Sequence, residues 1–310
     1  MGQRDSARVA PLIAVVGTTA SGKSTLAIEL ARALDGEIIS ADSRQVYRGL
    51  DIGSGKVTLA ERQLVPHHLL DVADVRHRFT VAEYQQQAFA ALDAIVARGR
   101  VPVLVGGTGL YVRAVVDNPS YPSVAPDPAL RLELERRPLA ELVAELRRLD
   151  PVSAERIDLH NPRRVVRALE VTRQSGCPFS LQQGTGTPRV RALQLGLDWP
   201  TPALQERITA RLQARLDATP GLVDEVGALL DAGIPAARLE ELGLEYRFVS
   251  RYLRGELASQ DLLTQLGRAI WQFARRQRTW FRRDPRISWL PTPDPLLEAA
   301  RLARAFLLEA

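Results

Sequence analysis

The segment GTTASGKST places Gly17, Gly22, Lys23 and Ser24 at the spacing of a phosphate-binding P-loop. Glycines let the backbone aim its amides at an anion, and a helix that follows adds unpaired N–H groups and its positive dipole end. Lys23 would bring a mobile positive charge, and the Ser24 hydroxyl can hold Mg²⁺. The candidate phosphate site is therefore Gly17, Thr18, Thr19, Ala20, Ser21, Gly22, Lys23 and Ser24, with Ser24 as metal ligand. The bland alternative is a glycine-rich turn between a strand and a helix. The motif implies a bound di- or triphosphate, such as ATP, without choosing between a kinase, an NTPase and a transferase.

Asp42, in SADSRQVY, closes a short apolar stretch. At a strand's carboxyl end, where parallel sheets build their sites, an acid can take a proton from a hydroxyl or an amine, or help hold Mg²⁺. A turn-capping Asp is the plain reading. Gly106 to Tyr111, GGTGLY, would let another backbone approach and would offer the Thr108 hydroxyl, although an ordinary turn uses the same glycines. Lys23 and Lys56 are the two lysines among 41 basic residues. Composition bias explains most of the arginine, but a compact ammonium is not always replaceable by a guanidinium.

These groups need a scaffold that gathers several strand ends. Leu12–Val16, Glu37–Ser40, Val101–Val105 and Ala192–Leu197 read as strands. Ser24–Leu34 and Thr80–Ala97 read as helices, the first by Leu26, Leu30 and Leu34 on one face, the second by a Thr80/Glu83 capping box and Gly99 beyond its end. Strands alternating with helices predict an α/β fold, a P-loop NTPase-like parallel sheet flanked by helices. Prolines between Asn118 and Pro128 mark a connector, and the charged stretch to about residue 159 predicts a small helical insertion. The expected parts are 1–117, the first part of the core; 118–160, the insertion; and 161–310, the rest of the core with a basic helical C-terminal region.

The 310 residues are 45% hydrophobic and 25% charged, an ordinary soluble balance. A single cysteine, Cys177, excludes an internal disulfide and fits a reducing cytosol, so a cytoplasmic location is expected. The four histidines lack zinc-ligand spacing. No apolar run suits a membrane span, and no signal peptide is read. MGQRDS fits the myristoylation pattern, but short patterns match by chance, and it is read as a plain unordered arm. From Arg247 to Arg286 ten arginines face three acids, a local excess above the chain's net +5. Such an excess, including Arg275, Arg276 and Arg278, suits RNA phosphates. The interleaved Trp271, Phe273, Trp280 and Phe281 are read as core, because apolar groups at helical spacing usually are.

In order, GTTASGKST, ADSRQVYRGLDIGSGK, VPHHLLDV, VGGTGLYVRAVV, NPRRVVRALEV and RRQRTWFRRDPRISWL resemble the tRNA dimethylallyltransferases from about Leu12 to Leu290. The resemblance implies Mg²⁺, dimethylallyl diphosphate as donor and the anticodon stem-loop of tRNAs reading codons that begin with U. The target would be the adenosine 3′ of the anticodon. By the same resemblance Asp42 is the general base, while Thr19 and Arg211 contact the diphosphate. Asp42, Ser43, Arg44, Gln45, Thr108, Arg163, Arg164 and Arg167 match tRNA-contacting segments. Thr18 stands where the family usually has proline, and GSGK replaces the commoner GTAK. The lack of a C-terminal zinc finger points to the bacterial type. A monomer is expected.

An adenine amine is a poor nucleophile, so a base removing its proton is worth roughly 10²–10⁴-fold. Rival readings remain. A P-loop small-molecule kinase would need no basic tail, and an adenylate isopentenyltransferase would have less use for one. An RNA-binding ATPase would want an acid where Gly106 and Gly107 follow the third strand.

Overall fold

The computed structural model describes residues 9–122, 124–182 and 184–309; the myristoylation-like MGQRDS lies outside the described residues. Its strands are β1 (Ala10–Gly17), β2 (Gly36–Ser40), β3 (His67–His68), β4 (Val101–Gly106), β5 (Pro119–Ser120), β6 (Gly184–Thr185), β7 (Val190–Leu197) and β8 (Ile287–Leu290). Six form one parallel sheet in the order β3-β2-β4-β1-β7-β8. The sheet thus has two edge strands beyond those legible in the sequence. Two or four residues carry no measurable alternation, and they are held in place by pairing to β2 and β7.

Leu12 through Val16 in the central β1 are fully buried, as a strand covered on both faces requires. On one face the helix Lys23–Ala33 inserts Leu26 and Leu30 among Ile13, Val15, Ile38 and Val103, and the helix Leu296–Leu308 adds Ala299 and Ala303. The helix Val81–Ala97 starts at the expected Thr80/Glu83 capping box. Its Tyr84 ring stacks on Tyr111 at 3.8 Å and its hydroxyl donates to the Ser40 carbonyl. That contact ties the end of β2 to the helix that follows β4.

Residues 117–187 form a separate compact unit. Its helices Pro128–Glu135, Leu139–Leu149, Pro151–Arg156 and Pro162–Ser175 share a core of Leu134, Leu142, Leu146, Val165 and Leu169. The unit therefore runs past the boundary expected at residue 160. The reason is the apolar face of Pro162–Ser175, which buries itself on the insertion helices. The strands β5 and β6 pair antiparallel within the unit, so part of the proline-rich connector is a strand. Among the described residues no helix is long and apolar enough to cross a membrane.

Candidate active site at the carboxyl edge of the sheet

Because β1, β2, β4 and β7 are parallel, the loops after them open on one edge. The loop after β1 is the P-loop. Gly22, at φ 90°, caps the helix Lys23–Ala33 in a left-handed conformation that costs a glycine little. Lys23 Nζ donates to the Thr18 carbonyl at 3.1 Å. Burial pushes its pKa down to about 8, Asp42 opposing the shift and Arg211 reinforcing it. Two loop hydroxyls, Thr18 Oγ1 and Ser21 Oγ, are buried without a protein partner, which is rare enough to suggest a polar ligand. Ser24 is half-buried in the first turn of the helix.

The loop after β2 carries Asp42, whose Oδ1 accepts the Arg44 N–H at 2.9 Å, an Asx turn that aims the acid at the edge. The Ser43 N–H donates to Thr108 Oγ1 at 3.0 Å, and the Thr108 N–H to the Ala41 carbonyl at 3.2 Å. The loops after β2 and β4 are thereby stitched together. Gln45 donates to the Gly55 carbonyl at 3.2 Å and accepts from Ser40 Oγ at 3.1 Å.

The helix Thr201–Asp217 lies over the P-loop. Arg211 donates to Thr19 Oγ1, so these two residues are in direct contact. One turn earlier Arg207 donates to the Ala20 carbonyl at 2.8 Å and stacks over Trp199, which itself donates to the Ser21 carbonyl at 2.8 Å. One turn later Arg215 faces Glu245 at 3.8 Å. Burial lowers the Arg211 pKa to about 10, with Arg215 adding to it and Glu245 and Asp42 opposing. Burial raises the Glu245 pKa against the pull of Arg215. Arg207, Arg215, Glu245 and Gln277 were not singled out by sequence. The signal for the arginines was available in the four-residue spacing of RITARLQAR.

The helix Ser259–Arg282 closes the site from the other side. Buried Gln277 accepts the Thr19 N–H and donates to the Gly107 carbonyl, each at 2.8 Å. A Cβ on Gly107 would lie 2.5 Å from that amide nitrogen and 3.5 Å from Lys23 Cε, so a side chain here would push the Gln277 amide aside where three elements meet. On its outer face Gln272, Arg275, Arg276, Thr279, Trp280 and Arg283 line a groove of about 390 Å³. Arg275 and Arg276 are exposed, with no carboxylate at ion-pair distance among the described residues. Arg278 differs. It is held by the Trp199 carbonyl, by Thr201 at 3.1 Å and by Asp198 at 2.7 Å, an ion pair whose Nε–Oδ1 angle is too poor for a hydrogen bond. The reading of all four aromatics as core holds for Phe281 alone as a fully buried ring; Phe273 and Trp280 are each 39% exposed. The helix is amphipathic, and its polar face also carries these two rings. In the separate unit, Arg163 and Arg164 are exposed, whereas Arg167 pairs with the buried Glu170 at 2.8 Å and donates to the Val124 carbonyl.

Fold and loop together define a P-loop α/β protein with a strand-end acid and a basic helical layer. The model of the family described as IPP transferase matches residues 45–284. The chain belongs to that family, the tRNA dimethylallyltransferases. A tRNA dimethylallyltransferase of Salinispora arenicola is 49% identical over 298 residues, 95% of this chain and 86% of the relative. The structure of the tRNA isopentenylpyrophosphate transferase of Bacillus halodurans is 35% identical with a TM-score of 0.71, over 96% of this chain and 97% of the other. A eukaryotic dimethylallyltransferase, captured acting on tRNA, shares the fold with a TM-score of 0.81 at 24% identity, over 97% of this chain and 80% of its own.

Proposed function

We propose that this chain is a tRNA dimethylallyltransferase that moves a dimethylallyl group from its diphosphate to the exocyclic amine of the adenosine 3′ of the anticodon, in tRNAs reading codons that begin with U. Near-full-length similarity to enzymes of that name supports the activity. The observation that carries the site is the meeting of Lys23, Thr19, Arg211 and Gln277 at the P-loop, with Asp42 at the neighbouring strand end. The diphosphate would sit on the loop amides and Lys23. Arg211 would stabilise the charge that grows on it as the carbon–oxygen bond breaks, the kind of term that dominates many catalysed reactions. Asp42 would take the amine proton as the new carbon–nitrogen bond forms.

Ser24 would hold Mg²⁺ beside the bound diphosphate. The Ser24 hydroxyl fits that role, because it stands half-buried in the first turn of the helix after the P-loop and Mg²⁺ at phosphate sites needs few protein ligands. When bound it would neutralise leaving-group charge. The groove at Arg275, Arg276 and Trp280 suits an RNA loop, whose phosphates meet arginine and whose bases stack on rings. Ser43, Arg44, Gln45, Thr108, Arg163 and Arg164 are the further candidate contacts. The target base must leave its stack to expose its amine, at a cost of a few kcal/mol that RNA contacts offset. The enzyme is proposed to act as a cytoplasmic monomer, since the donor loop, acid and basic groove all come from one chain. Dimethylallyl diphosphate with Mg²⁺ should stabilise the protein against heat more than ATP does. Stabilisation by ATP alone would favour the kinase reading.

A further inference from the structure

We propose that Gln277 is a positioning residue that couples the outer, RNA-facing side of its helix to the donor loop. The inference rests on the functional reading above and goes beyond it, because it concerns communication between the two substrate sites. Gln277 is 8% exposed, and both ends of its amide are in use. Its Oε1 accepts the Thr19 N–H and its Nε2 donates to the Gly107 carbonyl, both at 2.8 Å. One partner can only donate and the other can only accept, so the partners themselves fix which way the amide points. A single side chain thus joins the loops after β1 and β4. Thr19 is also the residue that receives Arg211 on its hydroxyl.

On the same helix Arg275, Arg276 and Thr279 face the basic groove. These positions lie within one turn of Gln277, and a hydrogen-bonded helix moves as a stiff rod over that distance. An anion on a P-loop recruits the loop's N–H groups. Recruiting the Thr19 N–H requires Gln277 to release it or to move with it. RNA held on the outer face biases that same movement. Donor and acceptor binding are therefore linked through Gln277, and such linkage is reciprocal.

The test uses the whole chain, inorganic diphosphate with Mg²⁺ as the donor-site probe, and an anticodon stem-loop. Affinity for each is measured alone and with the other saturating, in the parent protein, Gln277→Met and Gln277→Glu. In the parent protein each ligand should change the other's Kd by about fivefold or more, and by the same factor. In Gln277→Met that factor should fall close to one while each ligand still binds alone. Gln277→Glu keeps an acceptor for Thr19 and loses the donor to Gly107. It should reduce the factor too, and it serves where the Met variant does not fold. A purely structural glutamine would lower Tm and leave the factor alone. Absence of coupling in the parent protein, or equal coupling in all three, overturns the proposal. Failure of the parent protein to bind either ligand sinks the functional reading, and the proposal with it.

Discussion

The helix Thr201–Asp217 and the helix Ser259–Arg282 are both rich in arginine, yet they present it differently. On the first, Arg211 reaches the P-loop from a half-buried position and Arg215 turns to Glu245, while Arg207 also reaches the loop but stays exposed over Trp199. On the second, Arg275 and Arg276 point into solvent beside exposed Phe273 and Trp280. A desolvated guanidinium acts strongly on a charge that appears next to it, because little water screens the pair. A solvated one acts on a polyanion through counterion release and loses its hold in salt. In the proposed function one residue type would therefore serve leaving-group chemistry in one place and RNA retention in the other.

The largest effect should come from the inward set. Arg211→Ala should lower the single-turnover rate about 10²–10³-fold while stem-loop affinity stays nearly constant. A matching loss of RNA affinity would erase the distinction between the helices. Converting Arg275 and Arg276 together to Gln should weaken stem-loop binding and make the log–log salt slope shallower by roughly 1.4–1.8, at 0.7–0.9 per lost phosphate contact. Diphosphate affinity should hold. Arg278→Gln sharpens the contrast, because Arg278 is tied to Asp198, Trp199 and Thr201. It should lower Tm by a few degrees and leave the salt slope intact; a shallower slope would return Arg278 to the RNA-contacting set.

The smallest effect is a proton count. The Lys23 pKa is lowered to about 8 from 10.5. Between these values the unfolded chain holds more protons than the folded one, so this group makes stability rise with pH through that window. An arriving diphosphate favours the charged ammonium. Binding should take up protons at about pH 8 and above, and almost none near pH 6. Calorimetry in buffers of different ionisation enthalpy reads this directly, and equal uptake at both pH values would remove Lys23 from the diphosphate's immediate surroundings.

The P-loop, Asp42 and Thr108 were legible because each lies in a contiguous motif at the end of an apolar strand. Arg211 was found by resemblance to a family, since an arginine among arginines carries no mark of its own. Gln277 was missed for a related reason: its partner Thr19 is 258 residues away, and only the sheet brings the two together. The strands at His67–His68 and Ile287–Leu290 are shorter than any period can reveal. Charge composition marked the basic helix but could not tell outward Arg275 from clamped Arg278. That difference depends on which way each turn of the helix faces, and on Asp198 waiting beside β7.

Asp42 and the P-loop are proposed to perform prenyl transfer on an anticodon loop. Mass spectrometry of a stem-loop incubated with the protein, Mg²⁺ and dimethylallyl diphosphate tests it most directly. One hydrogen on the adenosine 3′ of the anticodon should be replaced by one dimethylallyl group. Asp42→Asn should slow this by about 10²-fold or more, and free adenosine monophosphate should be a far poorer acceptor. An unmodified stem-loop, an undiminished Asp42→Asn rate, or a free nucleotide modified as efficiently as RNA would contradict it.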